Sequence, residues 1–426
     1  MKWEQLNTYR WYIFIFCFAL IAWRAFTITT TNGNGRDNVY GDSYSDINTL
    51  SAARYFHDSG FLKTYGLPMH QYSGAGDTST NVYTHYPALP DILAGVYATV
   101  LDTTKEPLLR IFPILLSMLW FFLIYRVLDT LLKDKTQAFI GGSILVLSNY
   151  FIAWGDNLHK HALEEFFKWL YVYCIYRYFT VEERKNLWLL AMCIVFMLAV
   201  NVSFEPATFL AVISIGFSLI YKRKLFTAAT ILPGIAAVAG FLLHFWQDIA
   251  YWGSFDLAFE DMKAAFVLRT TGEETQGFTV SEIGDQSFGL HQLAFEWFNR
   301  IERYFLIPGW AFLPLGAWGM RNMYINQRKL FYITLTLLIA SLSWSFAMMH
   351  HAYVHMFTSR QWGILIGVVC AYTLPLYFVE VKKAFATKKY LHITFHLLFI
   401  LYVAAMALSQ QVYALYLQHG FAYGLL

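Results

Sequence analysis

Charged side chains are scarce in this sequence. Asp, Glu, Lys and Arg together make up 14% of its 426 residues, whereas soluble globular domains carry about 25%. Hydrophobic residues reach 57% and aromatic residues 19%. The rings of Tyr and Trp favour the headgroup level of a bilayer, where one end of the ring stays wet. The composition excludes an ordinary soluble domain and predicts a protein that lies mostly in lipid.

Cysteine is rare too, and the net charge is small. The four cysteines lie inside apolar runs without CxxC spacing, so the sequence predicts neither a disulfide framework nor a zinc knuckle. The formal net charge is only +3 and no long basic run is present, which excludes nucleic acid as a partner. The first apolar run is long and lacks a small-residue cleavage site, so we expect a retained helix and not a signal peptide.

Long apolar stretches recur along the whole chain. A membrane-spanning helix needs about 20 mostly apolar residues, and about eleven stretches approach that length. They lie near residues 11–30, 107–131, 136–153, 162–180, 187–204, 206–221, 225–247, 304–320, 330–349, 358–379 and 390–410. We therefore expect one all-α polytopic membrane domain over residues 1–426, embedded in the lipid bilayer.

The basic residues indicate which side of the membrane each connection faces. They lie in alternate connections between the predicted spans: Lys2 and Arg10; Lys133 and Lys135; Arg184 and Lys185; Lys222, Arg223 and Lys224; Arg321, Arg328 and Lys329; Lys382, Lys383, Lys388 and Lys389. By the positive-inside rule these connections face the cytoplasm. The N-terminus is then cytoplasmic and the C-terminus extracytoplasmic. The compact loops favour a prokaryotic inner (plasma) membrane, with the endoplasmic reticulum as the alternative.

Two long polar segments, 32–106 and 248–303, face the outer side, and we expect them to carry helices that lie along the membrane surface. The first contains "VYGDSYSDINTLSAARYFHDSG". Apolar side chains recur there at helical spacing after Asp46, and Gly60 is a typical helix stop. Asp46 either caps the free N–H groups of that helix or takes part in chemistry, and the residues leave both roles open.

The order of these parts resembles a known family. "SDINTLSAARYFHDSG", the corner "THYPALP" and the span "LLRIFPILLSML" follow one another as in the C-type fold of integral-membrane glycosyltransferases. These enzymes, which include protein O-mannosyltransferases and lipid A aminoarabinose transferases, use polyprenyl-phosphate sugars. The likeness is detailed over residues 1–180, and beyond them only the order of spans and loops matches.

The resemblance implies a catalytic carboxylate in the first outer loop. Judged by its distance from the "AAR" of the loop helix, Asp46 matches the family better than Asp42, and the choice between them stays open. The family's Lys-Pro-Pro corner reads "HYP" here. If that corner holds a phosphate, His85, next to Tyr86, has to replace the lysine.

The implied reaction is a single displacement. A carboxylate takes the proton of an acceptor hydroxyl, while cationic or hydrogen-bonding groups stabilise the charge that grows on the leaving phosphate. Because one base and direct attack suffice, the sugar is transferred with inversion. The donor is then a polyprenyl-phosphate sugar, and the acceptor a lipid, a glycan or a protein.

Other outer tips of the predicted topology carry polar side chains that suit such a site. The substrate-binding candidates are His85 and Tyr86 in the corner, Asp156, His161 and Glu165 after span three, Glu205 between spans five and six, Arg269 in the second loop, and His351, His355 and Arg360 after span nine. Each of the last four groups also has a purely structural interpretation. The residues after span three can form a solvated helix start with local ion pairs, and Glu205 can be an N-cap ahead of Pro206. Arg269 can lie on the face of an amphipathic helix, and the residues after span nine can be interfacial histidines.

These patterns do not require a metal or a cofactor. His351 and His355 stand at a spacing that can bind zinc, yet no HExxH motif accompanies them and the first loop has no Asp-x-Asp. We expect no cofactor and a transfer without metal, with a divalent metal as the less favoured alternative.

Two other classes of function are open. A transporter or flippase would place ionisable residues within several spans, and Arg24, Lys168 and Asp248 are the few candidates. A non-catalytic membrane scaffold has no need for carboxylates, histidines and arginines at several outer tips. Glycosyl transfer is the leading prediction.

Overall fold

The computed structural model describes residues 3–27, 41–74, 77, 81–271, 289–307 and 309–387, together with scattered positions between 390 and 405. In chain order its α-helices are α1 (Trp3–Thr27), α2 (Ser43–Ser59), α3 (Leu89–Leu101), α4 (Glu106–Leu109), α5 (Ile111–Leu132), α6 (Lys135–Val146), α7 (Asn149–Ile152), α8 (His161–Thr180), α9 (Lys185–Val202), α10 (Glu205–Lys222), α11 (Ala228–Trp252), α12 (Phe255–Thr271), α13 (Leu290–Phe305), α14 (Gly309–Asn326), α15 (Arg328–Ala347), α16 (Met349–Val354) and α17 (Gly363–Ala386). Short 3₁₀ turns cover Leu62–Thr64 and Met356–Trp362. The all-α prediction is confirmed.

Six helical segments in the described part of the chain are long and apolar enough to cross a membrane. They are Glu4–Phe26, Glu106–Leu132, Lys185–Val202, Ala228–Trp252, Arg328–Ala347 and Met356–Ala386. The chain is therefore a multi-pass membrane protein. The larger count of about eleven spans stays a prediction. The stretch 390–410 lies mainly outside the described residues, and 136–153 is divided, since α6 ends at Val146 and α7 begins at Asn149.

The outer surfaces of the helices are apolar. Tyr12 and Ile15 of α1 and Leu243 and Trp246 of α11 each expose more than half of their surface. Such a surface suits lipid, because the backbone polar groups are already paired within each helix and the side chains need no water.

Aromatic side chains fill the centre of the bundle. Trp120, Trp154, Trp169 and Tyr150 are fully buried. Trp169 Nε1 donates to the Tyr150 hydroxyl at 2.8 Å, and Trp120 packs edge-on against the Tyr150 ring with centroids 5.3 Å apart. This packing fixes α5, α7 and α8 relative to one another.

The first outer loop forms a small layer of two helices. α2 packs on α3 through small side chains that include Ala53, Ala94 and Ala98. Gly95 permits the close approach, because a Cβ at this position would lie 2.7 Å from the Phe56 ring. The helix expected after Asp46 and the helix expected after the "THYPALP" corner are both present.

The start of α2 corrects one expectation. Asp42 and not Asp46 is the N-cap, since Asp42 Oδ1 accepts the backbone N–H of Ser45 at 3.0 Å. The N-cap interpretation of Asp46 is wrong because the helix has already begun at Ser43. The stop at Gly60 is as expected, and its φ of +76° is one that favours glycine.

A substitution at Gly141 tests the close packing of α6 on α17. A Cβ there would lie 2.5 Å from the carbonyl oxygen of Gly367 and 2.6 Å from the Cβ of Ala371. Overpacking costs about 1–3 kcal/mol, so Gly141→Ala should lower the melting temperature of the purified protein in detergent. Gly234→Ala in α11 is the matched control, because nothing lies within 4 Å of its Cβ position. Equal melting temperatures of the two variants would contradict the packing.

Candidate active site

Asp42 lies at the N-terminus of α2 and is 3% exposed. Its Oδ2 accepts the Ser45 hydroxyl at 2.5 Å and His161 Nε2 at 3.0 Å. Burial alone would raise the pKa of this carboxyl, but the hydrogen bonds from His161 and Ser45 outweigh burial, and the pKa lies well below its usual value. Asp42 is therefore an ionised group that ties the start of α2 to the start of α8.

Asp46 follows one helical turn later and is 4% exposed. Its Oδ1 accepts the Asn157 side-chain amide at 2.7 Å and the backbone N–H groups of Leu158 and His159 at 2.7 and 3.3 Å. Its Oδ2 pairs with Arg110 Nη2 at 2.9 Å. Burial raises the pKa of Asp46 to about 6, although the Arg110 guanidinium lowers it. The carboxyl is ionised at neutral pH and takes up a proton in mild acid.

Arg110, between α4 and α5, compensates more than one carboxylate. Its Nε and Nη2 donate to Glu106 Oε1 at 3.1 and 2.9 Å. Its Nη1 donates to the backbone carbonyl of Asp156 at 2.7 Å and lies 3.5 Å from that residue's carboxylate. Arg24 of α1 approaches the same carboxylate to 3.5 Å. The two guanidinium groups thus join α1, α4, α5 and the turn before α8.

His161 extends the contacts from Asp42 to Arg360. His161 Nδ1 lies 2.5 Å from Arg360 Nη2, and the His161 carbonyl accepts Arg360 Nη1 at 3.1 Å. Arg360 also donates to Glu164 Oε2 at 3.0 Å and lies 4.0 Å from Glu165 Oε1. With 1% exposure, the guanidinium is enclosed by the groups that pair with it.

Lys160 and Glu205 form the next link. The Lys160 ammonium contacts the Glu205 carboxylate directly and lies 3.7 Å from Glu164 Oε1. Glu205 also accepts the Tyr86 hydroxyl at 3.1 Å, and that hydroxyl lies 2.9 Å from His351 Nε2. The first outer loop, α8, α10 and α16 therefore meet at one point.

The "THYPALP" corner is held by the second outer loop. His85 Nε2 lies 2.9 Å from Asp261 Oδ1 of α12. The Tyr86 ring has Lys160 Nζ at 4.1 Å and Arg269 Cζ at 4.9 Å from its centroid, distances at which cations are attracted to aromatic rings. The corner thus places two cations beside a tyrosine that is itself bonded to Glu205.

Every residue proposed from the sequence lies in or beside this polar network. These residues are Asp42, Asp46, His85, Tyr86, Asp156, His161, Glu165, Glu205, Arg269, His351, His355 and Arg360. Glu165 lies at its deeper edge, bonded to the Tyr150 hydroxyl at 2.5 Å and to Lys168 Nζ at 2.6 Å. Glu205 does not cap α10, because Phe204 holds that position, so the N-cap alternative is wrong.

Arg110 is the central residue that no sequence pattern singled out. It is 4% exposed and stands in the apolar run "LLRIFPILLSML". The available signal is an ionisable residue at the edge of a membrane span, which marks a functional position by default.

The carboxylates of this region already face cations. Asp46 and Asp156 lie against arginine, and Glu205 lies against lysine. Within the described ranges, no three or more His, Cys, Asp and Glu side chains are arranged to hold a metal ion.

Comparisons with known proteins identify the fold of this chain. No family model matches the sequence, and a search of curated proteins finds no relative. Among solved structures, the chain is similar to the oligosaccharyltransferase of Archaeoglobus fulgidus in its apo form, at 13% identity and a TM-score of 0.55, over 96% of this chain and 56% of that one. The chain has the C-type fold of integral-membrane glycosyltransferases. The fold expected from the sequence is confirmed.

Two further structures of the archaeal enzyme agree. The complex with an inhibitory peptide and a dolichol-phosphate matches at 13% identity and a TM-score of 0.51, over 96% of this chain and 56% of that one. The form tethered to an acceptor peptide with the NVT sequon matches at 15% identity and a TM-score of 0.50, over 95% and 55%. The chain spans just over half the length of the structures that it matches.

Arg110→Met tests the charge compensation. The substitution would leave Asp46 and Glu106 buried without their cation, and removal of one partner of a buried ion pair costs about 3–5 kcal/mol. The melting temperature in detergent should fall sharply. Arg126→Met is the matched control, since Arg126 is 56% exposed beside Asp129 and such surface pairs contribute about 0–1 kcal/mol. Similar melting temperatures for both variants would show that Arg110 does not hold the site together.

Proposed function

We propose that this protein transfers a sugar from a polyprenyl-phosphate donor to a lipid, glycan or protein acceptor, with inversion at the anomeric carbon. One observation carries the proposal. A chain with the C-type fold buries a first-loop carboxylate, Asp46, whose pKa is raised to about 6, among cations at the ends of its helices. Carboxylates shifted in this way are typical of acid–base catalysis. The archaeal enzyme has been solved with a dolichol-phosphate, which is a chemical parallel for the lipid donor.

Asp46 suits the role of base better than Asp42. A general base works best with a pKa near the working pH, and His161 holds the pKa of Asp42 far below that range. Asp46 Oδ1 accepts three hydrogen bonds, whereas Oδ2 contacts only Arg110 in the described part of the chain. Oδ2 therefore keeps a lone pair for a proton.

The reaction proceeds in one step. Asp46 Oδ2 takes the proton of an acceptor hydroxyl while the oxygen attacks the anomeric carbon. The bond from that carbon to the phosphate oxygen breaks, and its electron pair leaves with the lipid phosphate. Asn157 and the backbone N–H groups beside it keep the carboxylate oriented during this exchange.

Arg269 is the cation best placed for the leaving phosphate. In the described ranges it donates to the backbone carbonyls of Ala265 at 3.0 Å and His85 at 3.4 Å, and no carboxylate pairs with it. Lys160, in contrast, is neutralised by Glu205. The charge of Arg269 is therefore available to a phosphate, where it stabilises the growing negative charge.

We propose that the transfer needs no divalent metal. The carboxylates nearest to the base are paired with Arg110 and Arg24. A divalent ion would have to displace a guanidinium group, so these residues do not fit a metal centre.

The site is proposed to face the extracytoplasmic side of an inner (plasma) membrane, with the N-terminus in the cytoplasm. The support is the position of the site residues at particular helix ends. Arg24 lies near the C-terminal end of α1, and His161 and Glu205 lie at the N-terminal ends of α8 and α10. In the topology that the basic residues predict, all of these ends are outer ends.

Transport is the weaker alternative. Two of the three ionisable residues considered for it are paired with an opposite charge: Arg24 with Asp156 and Lys168 with Glu165. Because a neighbour satisfies these two charges, neither marks an open path for a polar substrate.

Asp46→Asn should lower the turnover of radiolabelled polyprenyl-phosphate sugars by about 100-fold or more, since the base is lost. Asp42→Asn is the matched variant and should lower turnover less, through the position of α2. The assay uses purified protein. Loss of turnover in Asp42→Asn alone would transfer the role of base to Asp42, and equal activity of both variants and wild type would make both carboxylates structural.

The pH profile gives an independent test. Because Asp46 must be deprotonated to act as a base, kcat/KM should rise about tenfold per pH unit up to about 6 and then level off. Acid unfolding driven by Asp46 does not explain the loss of activity at low pH, because the pKa of Asp46 is higher in the folded protein than in the unfolded chain. The stability that protonated Asp46 contributes is complete below the pKa of the unfolded state and is lost as the pH rises through about 6. A flat profile between about pH 4.5 and 7 would count against Asp46.

A further inference from the structure

A second polar cluster lies beside Asp46 and takes no part in the chemistry above. Its members are Thr49 of α2, His70 and Tyr83 of the segment between α2 and α3, Asp91 of α3 and His159 of the turn before α8. Thr49 follows Asp46 by three residues, so both side chains share one face of α2. The His159 backbone N–H donates to Asp46 at 3.3 Å. The cluster therefore adjoins the proposed base.

His159 is held from one side. Its Nδ1 lies 2.7 Å from Thr49 Oγ1 and 3.8 Å from Asp91 Oδ1. Its Nε2 forms no hydrogen bond within the described ranges, and the side chain is 11% exposed. In either tautomer, Nε2 keeps one hydrogen-bonding function for a group from outside the chain.

Two more atoms of the cluster are buried without a hydrogen-bond partner in the part of the chain that the structure describes. They are Asp91 Oδ1 and His70 Nε2, on side chains of residues that are 2% and 8% exposed. Burying a polar atom without a partner is unfavourable, so such an atom in a native site calls for a ligand or water that satisfies it. Asp91 and both histidines are also close enough for their charges to shift one another's pKa. Three elements thus bring unsatisfied polar atoms together.

The charge of the cluster indicates which class of ligand it can bind. Burial lowers the pKa of His70 to about 4, so this imidazole is neutral at pH 7. Burial opposes the ionisation of Asp91, but its interactions with His159 and Thr49 offset burial and hold the pKa of Asp91 below the usual value. A phosphate or carboxylate would meet this negative charge. A hydroxyl, which both donates and accepts, matches all three atoms.

We propose that Asp91, His159 and His70 form a subsite for a neutral saccharide of the acceptor, next to Asp46. Asp91 Oδ1 accepts one hydroxyl, and the two Nε2 atoms bind its neighbours. Tyr83 stacks on His70 with centroids 4.5 Å apart, which fixes the orientation of the His70 imidazole. The inference rests on the proposed sugar transfer and narrows its acceptor from lipid, glycan or protein to a glycan.

Acceptor kinetics of the purified full chain test this subsite. The donor is a radiolabelled polyprenyl-phosphate sugar, the acceptor probes are methyl glycosides, and donor hydrolysis without acceptor is the second readout. His159→Gln and Asp91→Asn should each raise the acceptor KM about 10- to 100-fold, with the hydrolysis rate and donor KM within about twofold of wild type. His57→Gln is the matched control, because this partly exposed histidine of α2 also faces a carboxylate, Asp58, at 2.8 Å, and its acceptor KM should not change.

Unchanged acceptor KM values in both variants would overturn the subsite, as would an equal loss of hydrolysis and transfer. Folding of the variants is judged by gel filtration and by the melting temperature. If Asp91→Asn does not fold, the acceptor KM of His159→Gln alone tests the subsite. A wild type that neither hydrolyses nor transfers any donor refutes the proposed function itself. Donor hydrolysis with transfer to a peptide but to no methyl glycoside overturns only the subsite.

Discussion

The buried ion pair between Asp46 and Arg110 is the interaction on which the outer half of this structure depends. Taking either charge out of water costs several kcal/mol, so neither side chain would be buried without the other. The pair joins α2 of the first outer loop to the junction of α4 and α5. Asn157 and the backbone next to it bring the turn before α8 to the same carboxylate. Charge compensation thus fixes the loop on the helical bundle.

The same constraint repeats from one carboxylate to the next. The connected groups run from Asp42 through His161, Arg360, Glu164, Lys160 and Glu205 to Tyr86. Each link satisfies a charge or a hydroxyl that burial would otherwise leave without a partner, and in a low-dielectric interior such networks orient their members strongly. A substrate that enters meets groups that are already positioned, which is the condition for electrostatic catalysis.

Local patterns predicted local structure well. The helical spacing after Asp46 and the glycine stop predicted α2, because both depend on contacts within one helix. The polar pairs join distant parts of the chain: Asp42 and His161 are 119 residues apart, and Tyr86 and His351 are 265 apart. Residue type and topology indicated which side chains gather at the outer tips. Their partners depend on how the helices pack, which a single sequence does not encode at any fixed spacing.

Two differences from the expected helix boundaries have equally local causes. Periodicity fixes the apolar face of a helix but not its first residue, so Asp42 and Asp46, one turn apart, were equivalent as caps. By average hydropathy, 136–153 is one apolar run. In the structure α6 ends at Val146, where the Ser148 hydroxyl donates to the Leu145 carbonyl at 2.7 Å. A side-chain hydrogen bond that competes with the helix is invisible to an average of hydropathy.

Asp42 and Asp46 show how one helical turn can separate two roles. Both are almost fully buried, so burial raises the pKa of each. His161 reverses that shift for Asp42, whereas for Asp46 the neighbouring carboxylates offset part of what Arg110 supplies. Two carboxyl groups whose pKa values are driven apart are the usual arrangement where one stays charged and the other exchanges a proton. Asp42 then anchors the loop, and its negative charge adds to burial and to the charge of Asp156 in raising the pKa of Asp46.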